Sequence, residues 1–182
     1  SGLLIVAIGR TATKQIHVVA QQDKTYKATI RLGGISDTDD SLGKIQLLKN
    51  YHQPTRQEIK QVLDSLKGEQ NQIPPMYSAK KIHGQKLYEL ARQGQIIQCQ
   101  PSLITIYNIK LLSYRWPDIN LEIHCSTGTY IRAIARDIGK TLNCGGYLCQ
   151  LRRAKIHGYS VRQAITLEQL TPNNWTEFLL QL

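Results

Sequence analysis

Residues Cys125 to Gly139 read Cys-Ser-Thr-Gly-Thr-Tyr-Ile-Arg-Ala-Ile-Ala-Arg-Asp-Ile-Gly, and Gly145 to Lys155 read Gly-Gly-Tyr-Leu-Cys-Gln-Leu-Arg-Arg-Ala-Lys. Ile131, Ile134, Ala135, Ile138 and Leu142 recur at helical spacing and mark one buried stripe. The other side of that helix carries Arg132, Arg136 and Lys140 at steps of four. Tyr147 to Ile156 then reads as a strand that runs through Leu-Arg-Arg. A tyrosine, arginines and a lysine set around a Gly-kinked turn and one helix suit the holding of a polyanion.

Working outward, Ser102 to Tyr114 and Asn120 to Cys125 are alternating runs rich in branched residues. The Arg115-Trp116-Pro117-Asp118 turn between them predicts an antiparallel pair. Tyr26 to Leu32 alternates in the same way. Thr55 to Leu66 predicts a helix, with Thr55 three residues before Glu58 as a capping box. Ala12, Ile16, Val19 and Ala20 suit a shorter amphipathic helix. Leu3 to Ile8 has the Val and Ile content of a buried strand, with no polar turn before it, which predicts further chain ahead of Ser1. Leu167 to Leu182 reads as a last helix or a fraying tail. Strands and helices mix without a repeating strand-helix-strand order, so the expected class is α+β with a mixed, largely antiparallel sheet flanked by helices.

At 182 residues, 41% hydrophobic and 20% charged, the composition is that of one soluble globular domain. The net charge of +10 is unevenly placed. Gln70 to Pro117 holds six basic residues against Glu89 alone, and Ile123 to Leu167 seven against Asp137 alone. Positive potential focused in this way favours a phosphate backbone or an anionic membrane surface as partner. No apolar run reaches the roughly 20 residues that a bilayer span needs, and no leader pattern is present, so the predicted location is cytoplasmic. Cys99, Cys125, Cys144 and Cys149 form no Cys-x-x-Cys pair and read as reduced, mostly buried thiols.

Gln70 to Gly94 differs in kind. Pro74-Pro75 interrupts regular structure, and Tyr77, Lys80, Lys81, His83, Lys86 and Tyr88 interleave aromatics with cations, as in a surface arm that touches nucleic acid. Asp37, Asp39 and Ser41 open with the spacing of a calcium loop, but Leu42 and Leu48 stand where its Gly and bidentate Glu belong. No nucleophile elbow, phosphate-binding Gly loop or dinucleotide fingerprint occurs, and the five histidines are scattered.

Five blocks carry a resemblance. They are Ser1 to Arg10, Asp23 to Ala28, Leu32-Gly33 with Thr38-Asp39-Asp40, Gln72 to Lys81, and Cys125 to Arg153, in family order through about Thr166. The chain resembles the catalytic domain of the tRNA pseudouridine synthase B (TruB) family, which isomerises a uridine in the T loop of tRNA without a metal or organic cofactor. The resemblance implies that the nucleophilic Asp belongs to a segment running directly into Ser1, so that these residues alone form an active-site wall lacking its reactive group. Tyr26 and Arg132 are the implied catalytic residues. Tyr26 would stack on the target uracil, and Arg132 would pair with the Asp, with Asp40 in its polar network. Tyr130 and Leu151 would complete substrate binding. Lys80, Lys81, Lys86, Arg152 and Arg153 would contact RNA.

On this reading residues 1–165 are a partial catalytic domain with 70–94 as its RNA-gripping insertion, and 166–182 are a C-terminal tail or the start of a missing region. The family's small C-terminal RNA-binding domain is expected to be absent. The implied partner is the tRNA T-arm stem-loop, engaged by a monomer with no obligatory protein partner. One departure is the Gly9 to Lys14 block, a residue longer than the family's usual Gly-Arg-Ala-Thr-Lys. A second reading from the basic windows alone is a non-catalytic RNA-binding module or RNA chaperone. A third is an RNA-guided relative that modifies ribosomal RNA with partner proteins, which fits the arm less well.

Overall fold

The computed structural model describes residues 1–78, 81–82, 84–93 and 99–179. Its centre is a six-stranded sheet in the order β10-β9-β1-β8-β7-β4, with every neighbouring pair antiparallel. The strands are β1 (Lys24–Leu32), β4 (Gly68–Gln72), β7 (Ser102–Arg115), β8 (Asp118–Cys125), β9 (Gly146–Ile156) and β10 (Tyr159–Ser160). Two small hairpins lie outside it: β2 (Gly34–Ser36) with β3 (Ile45–Leu47), and β5 (Lys81–Ile82) with β6 (Gln85–Lys86).

Period-two alternation decides which face is core. On β8, Ile119, Leu121, Ile123 and Cys125 are fully buried, while Asn120, Glu122 and His124 point the other way. On β1 the buried set is Ala28, Ile30 and Leu32, and Tyr26 continues that row toward one end of the strand. Two helices cover this face, α2 (Arg56–Ser65) through Ile59 and Leu63, and α4 (Ile131–Thr141) through Ile131, Ile134, Ala135 and Ile138. Each fully buried Ile contributes about 1.5–3 kcal/mol of transfer free energy.

α2 begins as the sequence predicts. The Thr55 Oγ1 accepts from the Glu58 N–H at 3.2 Å, and the Glu58 carboxylate accepts from the Thr55 N–H at 2.6 Å. α4 approaches β9 at a glycine contact: a Cβ on Gly139 would stand 2.1 Å from the Gly146 nitrogen. α1 (Gly9–Ala20) forms where its spacing predicts but buries no residue.

Two expectations change. Leu3 to Ile8 is not a buried strand: only Gly2 makes an isolated bridge, to Arg153, and Leu4 and Val6 are 71% and 70% exposed. Apolar content sets a strand's affinity for a core, but pairing needs a neighbour along its whole length. The Gln70 to Gly94 arm has anchors that its prolines concealed. Gln70 to Gln72 belong to β4, and α3 (Leu87–Arg92) buries Leu87 and Leu90 one turn apart. Beyond β10 the described chain holds two short 3₁₀ turns, Leu167–Gln169 and Trp175–Phe178, neither burying a residue.

Candidate active site

Tyr26 on β1 is the cross-strand partner of Arg153 on β9, and Ala28 that of Leu151. Partners share a face, so Tyr26, Leu151 and Arg153 stand together where the core row opens to solvent. They line a cavity of about 350 Å³, closed on one side by Ser1, Gly2 and Leu3. That segment is stitched to β9 by the Leu3 N–H on the Arg153 carbonyl at 2.8 Å and the Arg153 N–H on the Ser1 carbonyl at 3.2 Å. The Arg153 Nε donates to the Leu3 carbonyl at 2.8 Å, fixing its guanidinium in the wall. The approach is so close that a Cβ on Gly2 would lie 2.4 Å from the Arg153 nitrogen. Burial raises the Tyr26 phenol above its ordinary value, so it is a neutral donor with a flat apolar face. Burial also pushes the neighbouring Cys125 thiol up to about 11, which removes it as a nucleophile near neutral pH.

A second polar cluster forms on α4. The Arg132 Nη1 donates to Asp40 Oδ2 at 3.0 Å and to the Thr38 carbonyl at 3.4 Å, while Nη2 donates to the Tyr77 carbonyl at 2.7 Å. Arg136, one turn on, donates from Nη1 to Asp39 Oδ2, from Nη2 to the Ile73 carbonyl and from Nε to Asp137 Oδ1, each at 3.0 Å. The Asp39-Asp40 turn is itself pinned to β9, by the Leu148 N–H on the Asp39 carbonyl at 3.0 Å and the Ser41 N–H on the Leu148 carbonyl at 2.9 Å. Leu148 and Leu151 thus tie the cluster and the cavity to the same strand.

Tyr130 is the N-cap of α4. Its N–H donates to Gln72 Oε1 at 2.8 Å and its carbonyl accepts from Gln72 Nε2 at 3.1 Å, so one buried amide fixes where the helix starts and where Arg132 projects. Sequence reading missed Gln72, because a lone Gln on a strand carries no local signal.

The structure therefore gathers Tyr26, Leu151 and Arg153 in one wall and sets Arg132 and Tyr130 outside the residues that line it. Arg152 pairs with Lys27 and lies on the opposite, exposed face of the sheet, as strand alternation requires of consecutive residues. Lys80 lies outside the described residues, and Lys81 and Lys86 pair in the β5–β6 hairpin. Two histidines read singly from sequence prove to share a carboxylate. His124 Nε2 contacts Asp23 Oδ2, and His157 Nδ1 stands 3.1 Å from Asp23 Oδ1. Among the described residues no group of His, Cys, Asp and Glu is arranged to hold a metal ion, and no helix is long and apolar enough to cross a membrane.

An antiparallel sheet backed by helices, with an aromatic and cationic cavity at the end of its core row, makes this an α+β domain. The model of the TruB family pseudouridylate synthase N-terminal domain matches residues 1–131, and that of the tRNA pseudouridylate synthase B C-terminal domain matches residues 132–180. The chain belongs to the TruB family of pseudouridylate synthases. The junction of the two matches falls at the first turn of α4, inside one continuous core.

The tRNA pseudouridine synthase B of Syntrophotalea carbinolica is 40% identical over 185 residues, covering 100% of this chain and 60% of that protein. The protein of the same name from Prochlorococcus marinus is 42% identical over 176 residues, covering 96% and 56%. The chain thus spans roughly three fifths of the length of these relatives. A chain in the crystal structure of a Cbf5-Nop10-Gar1 complex shares the fold with a TM-score of 0.65 at 23% identity, over 88% of this chain and 39% of that one. A chain in an H/ACA RNP bound to a substrate RNA containing 2′-deoxyuridine gives 0.62 at 20% identity, over 92% and 40%.

Proposed function

We propose that the protein carrying this chain converts a uridine in the T loop of tRNA to pseudouridine. Membership of the TruB family supports the reaction. The observation that carries the site is the cavity that joins Tyr26, Leu151 and Arg153. A uracil turned out of an RNA loop loses its stacking partners, and a buried phenol ring offers a replacement face. Leu151 supplies an apolar edge, and the Arg153 guanidinium supplies charge at the rim for a phosphate. Tyr130 is the second aromatic contact to the nucleotide.

The nucleophile is the Asp of the segment that runs into Ser1, with Arg132 as its counter-ion. A guanidinium has five N–H donors in a planar fork, and Asp40, Thr38 and Tyr77 engage only part of that set. Attack at, or proton removal beside, the ribose by the carboxylate releases uracil. The base turns within the cavity and rejoins through C5. The bond from N1 to the sugar breaks, one from C5 forms, and the C5 proton leaves as N1 gains one, so no cofactor or external energy source is needed. The protein expels the base from its loop, excludes water and holds the free uracil for reattachment.

Residues 70–94 grip the unpaired loop, in keeping with RNA recognition at splayed single strands. Lys80, Lys81, Lys86 and Arg152 add phosphate contacts, and the enzyme works as a monomer in the cytoplasm. The test is tritium release from a T-arm stem-loop labelled at C5 of uridine, using protein extended upstream through the Asp. Release at the T-loop position supports the reading. Binding without release would leave an RNA-binding module in its place.

A further inference from the structure

Arg132 and Arg136 lie one turn apart on α4 and so share a side of the helix. The acidic residues they meet, Asp40 and Asp39, are consecutive. Adjacent residues of an extended chain point to opposite sides, so two neighbouring carboxylates do not ordinarily reach one helix face. Asp39 has φ +61°, a left-handed conformation that Asp tolerates better than most side-chain-bearing residues, and this turn presents Asp39 to Arg136 and Asp40 to Arg132. Each guanidinium also bonds a carbonyl of a third segment, Ile73 for Arg136 and Tyr77 for Arg132. Three stretches of chain that are remote in sequence are thereby joined by two parallel forks.

Burial raises the Asp39 carboxyl above its ordinary value even with Arg136 beside it, so the fold keeps an ion pair there at a cost that an apolar pair would not carry. Arg136 and Asp39 border a separate cavity of about 500 Å³ with Ile73 and Met76, and neither lines the Tyr26 cavity. The contacts that Arg136 does make outside its own helix are to the segments it joins, at Asp39 and Ile73.

We propose that Arg136 and Asp39 are a positioning pair that seats Ile73, at the root of the 70–94 insertion, against the helix that bears Arg132. This rests on the reading of the protein as an RNA-modifying enzyme. The pair sets how well the insertion meets RNA, whereas Arg132, separately anchored by Asp40, keeps its place at the reacting centre.

The experiment uses protein extended upstream through the proposed nucleophile. Isomerisation by the wild type is measured first, and its absence would sink the functional reading without bearing on the pair. Arg136→Gln, Arg136→Lys and Asp39→Asn are then compared for T-arm affinity, for rate at saturating RNA, and for amide hydrogen exchange in the peptide spanning 70–78. The expected result for Arg136→Gln and Asp39→Asn is affinity weakened about tenfold, a saturating rate within about threefold of wild type, and faster exchange in that peptide. Arg136→Lys keeps the charge without a planar fork and is expected to leave exchange fast and affinity weak. If Arg136→Gln does not fold, Asp39→Asn decides. A lower melting temperature with unchanged affinity and exchange would overturn the proposal, as would full rescue by Lys.

Discussion

Tyr26 and Arg153 face each other across β1 and β9, and their side chains meet in the wall of one cavity although 127 positions separate them. The pairing puts a neutral aromatic face beside a fixed cation. If the cavity receives uracil, stacking and chemistry separate by substitution. Tyr26→Leu removes the face and should weaken binding of the T-arm by about 1–3 kcal/mol, the worth of one base stacked on an aromatic ring. Tyr26→Phe keeps the face and should bind normally. It should lose turnover by about 100-fold if the phenol takes part in moving the C5 proton. Filter binding and single-turnover rates separate the two effects, and normal activity in Tyr26→Leu would remove the stacking role.

The arm carries a second expectation. Lys80→Ala combined with Lys81→Ala should weaken T-arm binding and make its dependence on log salt shallower by about 1.4, roughly 0.7 for each lost phosphate contact on single-stranded RNA. Titrations between about 50 and 200 mM salt measure the slope. An unchanged slope would mean that these lysines do not touch the backbone.

What was legible in the sequence was what local physics fixes. The Thr55–Glu58 box starts α2 where it reads, and the alternation from Asn120 to Cys125 marks β8, which is Asp118–Cys125 with every second residue buried. The opposed faces of Arg152 and Arg153 were also open to reading, since a period of two forbids consecutive strand residues from sharing a wall. Leu3 to Ile8 misled because apolar content says nothing about whether a pairing partner is present. Asp40 beside Arg132 was expected from the family resemblance, and the two meet at 3.0 Å. The Asp39–Arg136 pair was hidden, because it depends on a left-handed turn at Asp39 and on a contact 97 positions apart, which leaves no local periodic trace.

The contact between α4 and β9 predicts a large effect from one methyl group. Gly139→Ala gains about 1 kcal/mol of helix propensity. Its Cβ, however, would meet the Gly146 nitrogen at 2.1 Å and the Gly145 carbonyl carbon at 2.2 Å, backbone atoms that cannot swing aside. Forcing the helix off the strand costs about 3 kcal/mol or more, so a net loss of at least about 2 kcal/mol is expected in urea unfolding. Gly158→Ala, where a Cβ would have nothing within 4 Å, should change stability by less than about 0.5 kcal/mol. Equal effects at the two positions would mean that the close packing of α4 on β9 is wrong.

The Asp23 cluster predicts a particular acid limb of stability. Its hydrogen bond to His124 is the largest influence holding the Asp23 carboxyl below its ordinary value of 3.8, with the His157 contact adding to it against an opposing effect of burial. A depressed carboxylate pKa stabilises the fold above the unfolded value, and that contribution disappears as pH falls through the lowered folded value. Wild type should therefore exceed Asp23→Asn by up to about 1 kcal/mol at pH 6, a modest figure because these side chains are partly exposed. For a chain of this size that is about 2–4 °C in melting temperature. The gap should narrow below about pH 4 and close once Asp23 is protonated in the folded state. Melting curves of both proteins from about pH 6 to 2.5 measure it, at fixed ionic strength so that screening does not change along the series. A gap that stays constant down to the lowest pH would show that the Asp23 charge is not what joins β1 to His124 and His157.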